Sequence, residues 1–152
     1  MRKLPVGIQT FEKIRRENFL YVDKTALMWQ IAAKSAPCFL SRPRRFGKSL
    51  LLSTFEAYFE GKRELFEGLA AEQLENEWNV HPVLHLDLNA EKYDRPEALD
   101  AMLSNHLTQW ESVHGKGEDE TTLSRRFAGV IRRACEQTGR GVVVLVDEYD
   151  KP

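Results

Sequence analysis

Two stretches of this 152-residue sequence carry residue types at spacings that could do chemistry: Gly47-Lys48-Ser49 and Asp147-Glu148. Cys38-Phe39-Leu40 is apolar, the next residues are basic and turn-forming, and Gly47-Lys48-Ser49 then opens a Leu-rich segment with helical spacing. Strand, tight loop, Gly-Lys-Ser, helix is the layout of a loop that cradles nucleotide phosphates. A helix start offers unpaired backbone N–H groups and the positive end of the helix dipole. In such a loop Gly47 lets the backbone approach a phosphate, Lys48 reaches the β- and γ-phosphates, and the Ser49 hydroxyl holds Mg²⁺. The general signature has a further glycine five residues before Gly47, where this sequence has Arg42. The second stretch follows Val142-Val143-Val144-Leu145-Val146. An acidic residue ending a buried parallel strand lies where α/β sheets bind ligands. Asp147 there could support Mg²⁺, usually through its waters, and Glu148 could orient or deprotonate an attacking water. Each stretch alone has a plainer explanation, an ordinary helix start or a solvated strand end. Their co-occurrence, in order and each on the right element, favours the chemistry.

The elements that must position these residues alternate between strand and helix. Residues 1–22 hold short apolar patches and predict an irregular lead-in. Asp23 precedes a helix whose apolar residues fall at 27, 28 and 31, with the aspartate as its cap. Pro37 ends that helix, and residues 38–40 predict a buried strand. After Ser49, the set Leu51, Leu52, Phe55, Tyr58 and Phe59 predicts a helix closed by Gly61, with a short helical segment through Trp78 beyond it. Residues 81–88 predict a second strand. Pro96 opens a helix with Leu99, Met102, Leu103, Leu107, Trp110 and Val113 as its buried stripe. Residues 115–122 predict the most mobile internal loop. The next helix turns Leu123, Phe127, Val130, Ile131 and Ala134 inward and Arg125, Arg126, Arg132 and Arg133 outward, and Gly139 ends it. The five-residue aliphatic run is the strongest strand signal and predicts a strand covered on both faces. The order β–α–β–α–α–β is an α/β pattern.

Composition sets the remaining bounds. The apolar and charged fractions, 42% and 30%, are those of a globular protein with one proper core. The formal net charge of −1 gives no general pull toward nucleic acid or membrane. No apolar run approaches the ~20 residues that span a bilayer, and the basic N-terminus lacks the apolar core of a secretion signal. The two cysteines, Cys38 and Cys135, have no metal or redox spacing. These features together predict a cytoplasmic protein with reduced thiols.

Ser41-Arg42-Pro43-Arg44-Arg45-Phe46-Gly47-Lys48-Ser49-Leu50 resembles the modified phosphate loop of the bacterial AAA-ATPase-like family, whose members often carry a PD-(D/E)XK-type nuclease domain downstream. Tyr21-Val22-Asp23-Lys24-Thr25, Pro82-Val83-Leu84 and Asp147-Glu148-Tyr149-Asp150-Lys151-Pro152 extend the resemblance across the chain. The family itself carries arginine at the position of Arg42. The resemblance implies a three-layer P-loop fold with a parallel sheet and flanking helices. It implies ATP bound by Arg44, Arg45, Phe46, Gly47, Lys48, Ser49 and Leu50 (the Walker A position). Mg²⁺ would be held by Ser49 and Asp147 (Walker B), with Glu148 as the catalytic residue. On this reading residues 1–152 are the N-terminal portion of one such domain, with 1–36 as lead-in and helix and 37–152 running from the loop strand to the Walker B strand. Family members continue past Asp-Glu, and their next strand lies between the loop strand and the Asp-Glu strand. Buried backbone groups left unpaired cost about 1–3 kcal/mol each, against a total stability of ~5–15 kcal/mol. The isolated chain is therefore expected to have an incomplete sheet, poor stability and no turnover. The alternative readings are a nucleotide-binding switch coupled to a partner or a downstream nuclease, and a truncated remnant that binds nothing.

Other residues have plainer uses. Arg42, Arg44, Arg45 and Lys48 form a basic cluster best explained by phosphate; the same side chains could meet a nucleic-acid backbone, which nothing else in the sequence indicates. His85 and Asp87 share a strand face and read as ordinary strand residues. His81, His106 and His114 have no ligand spacing, and zinc is not expected. Cys38 reads as a small core residue. For Tyr21-Val22-Asp23-Lys24-Thr25, the residues give a helix cap after an apolar patch. The resemblance gives a family hallmark near the nucleotide, and the sequence leaves its role open.

Overall fold

A computed structural model describes residues 1–43, 47–89 and 93–149. The chain divides into two compact units, Met1–Val80 and His81–Pro152.

The first unit is helical. It contains α1 (Phe11–Arg16), α2 (Thr25–Ala33), α3 (Lys48–Phe59), a 3-10 turn (Arg63–Phe66) and α4 (Ala70–Leu74). Phe11, Ile14, Met28 and Phe66 are its fully buried centre. Phe11 packs its ring on Phe66 and on Tyr21, with centroids 4.9 and 5.2 Å apart. Tyr58 and Trp78 extend this aromatic cluster. The lead-in is thus not wholly irregular. Two of its apolar residues, Phe11 and Ile14, lie one helical turn apart, and core packing holds a six-residue helix too short to persist alone. α3 ends where expected: Glu60 caps it and Gly61 follows at φ 71°. A side chain at Gly61 would meet the Trp78 carbonyl at 2.9 Å, so both φ and space demand glycine. Trp78 itself takes a left-handed φ of 49° and ends no helix; the expected segment up to it is only α4.

Residues 38–40 form no strand. Phe39 is 82% exposed and Cys38 is exposed. Apolarity alone does not make a strand, because the ladder needs a neighbour, and the sheet among the described residues has two strands, neither of them here. Residues 38–40 are thus not the buried strand that their composition predicts, and Cys38 is not a core residue.

The second unit holds that sheet. β1 (Val83–Asp87) and β2 (Val143–Asp147) pair in parallel, Val83 opposite Val143 through Asp87 opposite Asp147. Between them run α5 (Pro96–His114) and α6 (Leu123–Thr138). Pro96 stands at the start of α5, where its missing N–H costs nothing. Thr122 caps α6 by accepting from Arg125 N, and Gly139 closes it at φ 67°. Met102, Leu107, Val130 and Ala134 are buried, and Trp110 meets Phe127 at 6.0 Å. Val113 lies off the stripe, largely exposed.

Two expectations change in this unit. The aliphatic run of β2 is not covered on both faces: Leu145 and Asp147 are buried, whereas Val144 and Val146 are exposed. Two of the four arginines of α6 also turn inward. Arg126 donates to Glu111 (2.6 Å) and to the Ser104 hydroxyl (2.7 Å), its side chain only 12% exposed. Arg133 grips Glu120 with both terminal nitrogens at 2.7 Å. Glu120 also accepts from Gly117 N (2.8 Å), which ties down the loop expected to be most mobile. Arg125 and Arg132 remain exposed. The architecture is therefore α/β, with a small parallel sheet and flanking helices.

Candidate functional site

In the first unit, Gly47 is the N-cap of α3 with φ 77° and ψ 21°. That left-handed turn is costly for any residue with a Cβ, so the glycine is required by conformation. Its surroundings are open, since an added Cβ would meet nothing within 4 Å. The first intrahelical bond runs from Leu51 N to the Gly47 carbonyl at 3.0 Å. Lys48, Ser49 and Leu50 thus form the first turn of a 12-residue helix, each partly exposed. As a glycine, Gly47 has no side chain of its own to cap the helix it opens. A cationic side chain, a hydroxyl and the positive end of a helix dipole meet at one turn, an arrangement suited to an anion. Arg44, Arg45 and Phe46 lie outside the described residues, and Arg42 is exposed.

In the second unit, Asp147 ends β2 and is 7% exposed. Glu148 follows at φ 58°, a left-handed conformation that a side chain of its shape rarely adopts. Such backbone is held only by its surroundings, and it concentrates at functional sites. Asp147 and Glu148 thus lie together at the C-terminal end of the sheet. Asp87, read from sequence as an ordinary strand residue, ends β1 directly opposite Asp147. The signal for it was present: both strands stop at an aspartate. His85 pairs in register with Leu145. Asp87 also accepts from Asn89 N at 2.9 Å, turning the chain after β1.

Tyr21-Val22-Asp23-Lys24-Thr25 serves the first unit's own framework. Asp23 Oδ1 accepts from Thr25 N (2.9 Å) and the Thr25 hydroxyl (2.6 Å), so it does assist the start of α2. Asp23 Oδ2 accepts from Ala70 N (2.8 Å), and the buried Thr25 hydroxyl accepts from Ala71 N (3.0 Å). Burial works against the charge on Asp23, but donation from Thr25 and Ala70 outweighs it and holds the carboxyl below its ordinary range. Burial pushes the Tyr21 phenol up, against an opposing pull from the Thr54 hydroxyl. Val22 is exposed.

The family described as "Predicted AAA-ATPase" (AAA-ATPase-like) matches this chain over residues 5–152. The chain belongs to the AAA-ATPase-like family. It is 42% identical over 155 residues to the "Uncharacterized protein in vnfD 5'region" of Azotobacter chroococcum mcd 1, covering 99% of this chain. It spans 30% of the length of that relative. No solved structure matches the chain. No helix among the described residues is long and apolar enough to cross a membrane.

Proposed function

We propose that this chain carries the nucleotide-binding and hydrolytic residues of an ATPase within a longer protein. The observation that supports this reading most is the left-handed Gly47 turn that opens α3 with Lys48 and Ser49 in its first turn. In this reading the first-turn N–H groups and Lys48 hold the β- and γ-phosphates of ATP, while Arg44, Arg45, Phe46 and Leu50 flank them. The donor set fits the phosphate, because every group at that turn offers a proton or a positive dipole end. The residue types also suit Mg²⁺, each taken within its own unit: the Ser49 hydroxyl and the Asp147 carboxylate are oxygen ligands of the kind a hard cation takes. Bound Mg²⁺ would neutralise charge on the transferred phosphoryl group. Glu148 would orient the attacking water and take its proton.

The test uses the full-length gene product. Lys48→Ala should weaken triphosphate binding, and Glu148→Gln should abolish turnover while leaving binding intact. Binding indifferent to Lys48→Ala sinks the phosphate site. Turnover indifferent to Glu148→Gln sinks the hydrolytic role and leaves a nucleotide-dependent switch.

A further inference from the structure

The motif at residues 21–25 reaches the helix that opens with Lys48 through the framework of the first unit. α4 has only five residues and cannot stand alone. Its first N–H groups, Ala70 and Ala71, are held by Asp23 and Thr25, 47 and 46 positions away in sequence. At its other end, Glu75 accepts from the Tyr58 hydroxyl of α3 and from Trp29 Nε1 of α2 (3.2 Å). α4 is thus a strut, seated at one end in the motif and fastened at the other to the back of α3. The middle of α3 is also held: Phe11 N donates to the Ser53 hydroxyl (2.9 Å), and the next residue, buried Thr54, has Tyr21 as a neighbour and bonds back within the helix to the Leu50 carbonyl (2.8 Å). Leu50 belongs to the first turn, with Lys48 and Ser49.

We propose that Asp23 and Thr25 are positioning residues of the phosphate site, acting through α4 to fix where the first turn of α3 stands. This inference rests on the reading of Gly47-Lys48-Ser49 as that site. Thr25→Val keeps the side-chain shape but leaves Ala71 N without an acceptor, which loosens the seat of α4 and with it the Glu75 tie to α3. Donors that meet a phosphate lose affinity when displaced by a fraction of an ångström. A brace that served stability alone would lower the melting point without changing affinity in the folded protein.

The experiment is calorimetric titration of Mg-ATP into the full-length protein, well below the melting transition of every variant. Thr25→Val should raise Kd about tenfold, and Asp23→Asn should raise it less. Thr25→Ser, which keeps the hydroxyl, should bind like the parent. Gly129→Ala, which strains the other unit, should melt lower yet also bind like the parent. Parent affinity in both Thr25→Val and Asp23→Asn, with affinity lost in Lys48→Ala, overturns the positioning role and leaves the phosphate site standing. Parent affinity in Lys48→Ala overturns both. Should Thr25→Val fail to fold, Asp23→Asn decides, since Asp23 is exposed and its substitution leaves no buried group orphaned.

Discussion

Asp87 and Asp147 stand opposite one another at the C-terminal ends of β1 and β2, the last matched pair of the parallel ladder. Like charges on directly paired strand positions repel. Asp87→Asn removes one charge and keeps an oxygen to accept from Asn89 N. The variant should gain about 0.5 kcal/mol in urea unfolding at neutral pH. A loss of stability would mean that the Asp87 charge is held by a favourable partner.

Glu148 has a conformation that asparagine tolerates better. Glu148→Asn should therefore be at least as stable as the parent, with a gain on the order of 0.5 kcal/mol, while turnover of the full-length protein disappears. Stability and activity moving in opposite directions would mark backbone strain kept for function. A variant that is both less stable and fully active would contradict it.

Gly129 lies in the middle of α6, where alanine normally adds up to about 1 kcal/mol. Here a Cβ would meet Glu120 Oε1 at 1.9 Å and its carboxyl carbon at 2.3 Å. The Glu120 side chain cannot retreat without releasing Arg133 and Gly117 N. The clash should outweigh propensity, and Gly129→Ala should lose about 1–3 kcal/mol, readable as a lowered melting temperature.

The Arg133 guanidinium, opposed by burial and aided by Gly117 N, pulls the Glu120 carboxyl from its ordinary 4.5 down to about 2. The folded state then binds fewer protons than the unfolded state between those values, so stability rises with pH through that window. The contribution is complete above pH 4.5 and is lost as the pH falls toward 2. Acid titration of the melting point should show this limb, and Glu120→Gln should flatten it. An unchanged acid limb in Glu120→Gln would assign the effect to another carboxylate.

Much of the second unit was legible in the sequence. Pro96, the Met102 and Leu107 stripe, Gly139 and the valine run each act locally, and α5, α6 and β2 follow from them. Gly47 was legible for the same reason, since a left-handed turn before a helix leaves glycine as its mark. What depends on distant partners was not legible. Cys38-Phe39-Leu40 has a strand's composition but no place in the ladder. Arg126 and Arg133 look like a solvated face until Glu111 and Glu120 are seen against them. Asp23 and Thr25 could be read only as the start of α2, because their other partners, Ala70 and Ala71, lie far along the chain.

The ladder joining Val83 to Val143 also sets an order of assembly. Its partners are 60 positions apart, and closing a loop of that length costs roughly 3–4 kcal/mol of chain entropy before any backbone bond repays it. The α5–α6 hairpin spans a shorter stretch and can form first, drawing the strand ends together. Asp147, 7% exposed, is the last residue of that ladder. The carboxylate end of the sheet thus rests on the longest-range pairing described in this unit, and hydrogen exchange should find the α5–α6 amides at least as well protected as those of β2.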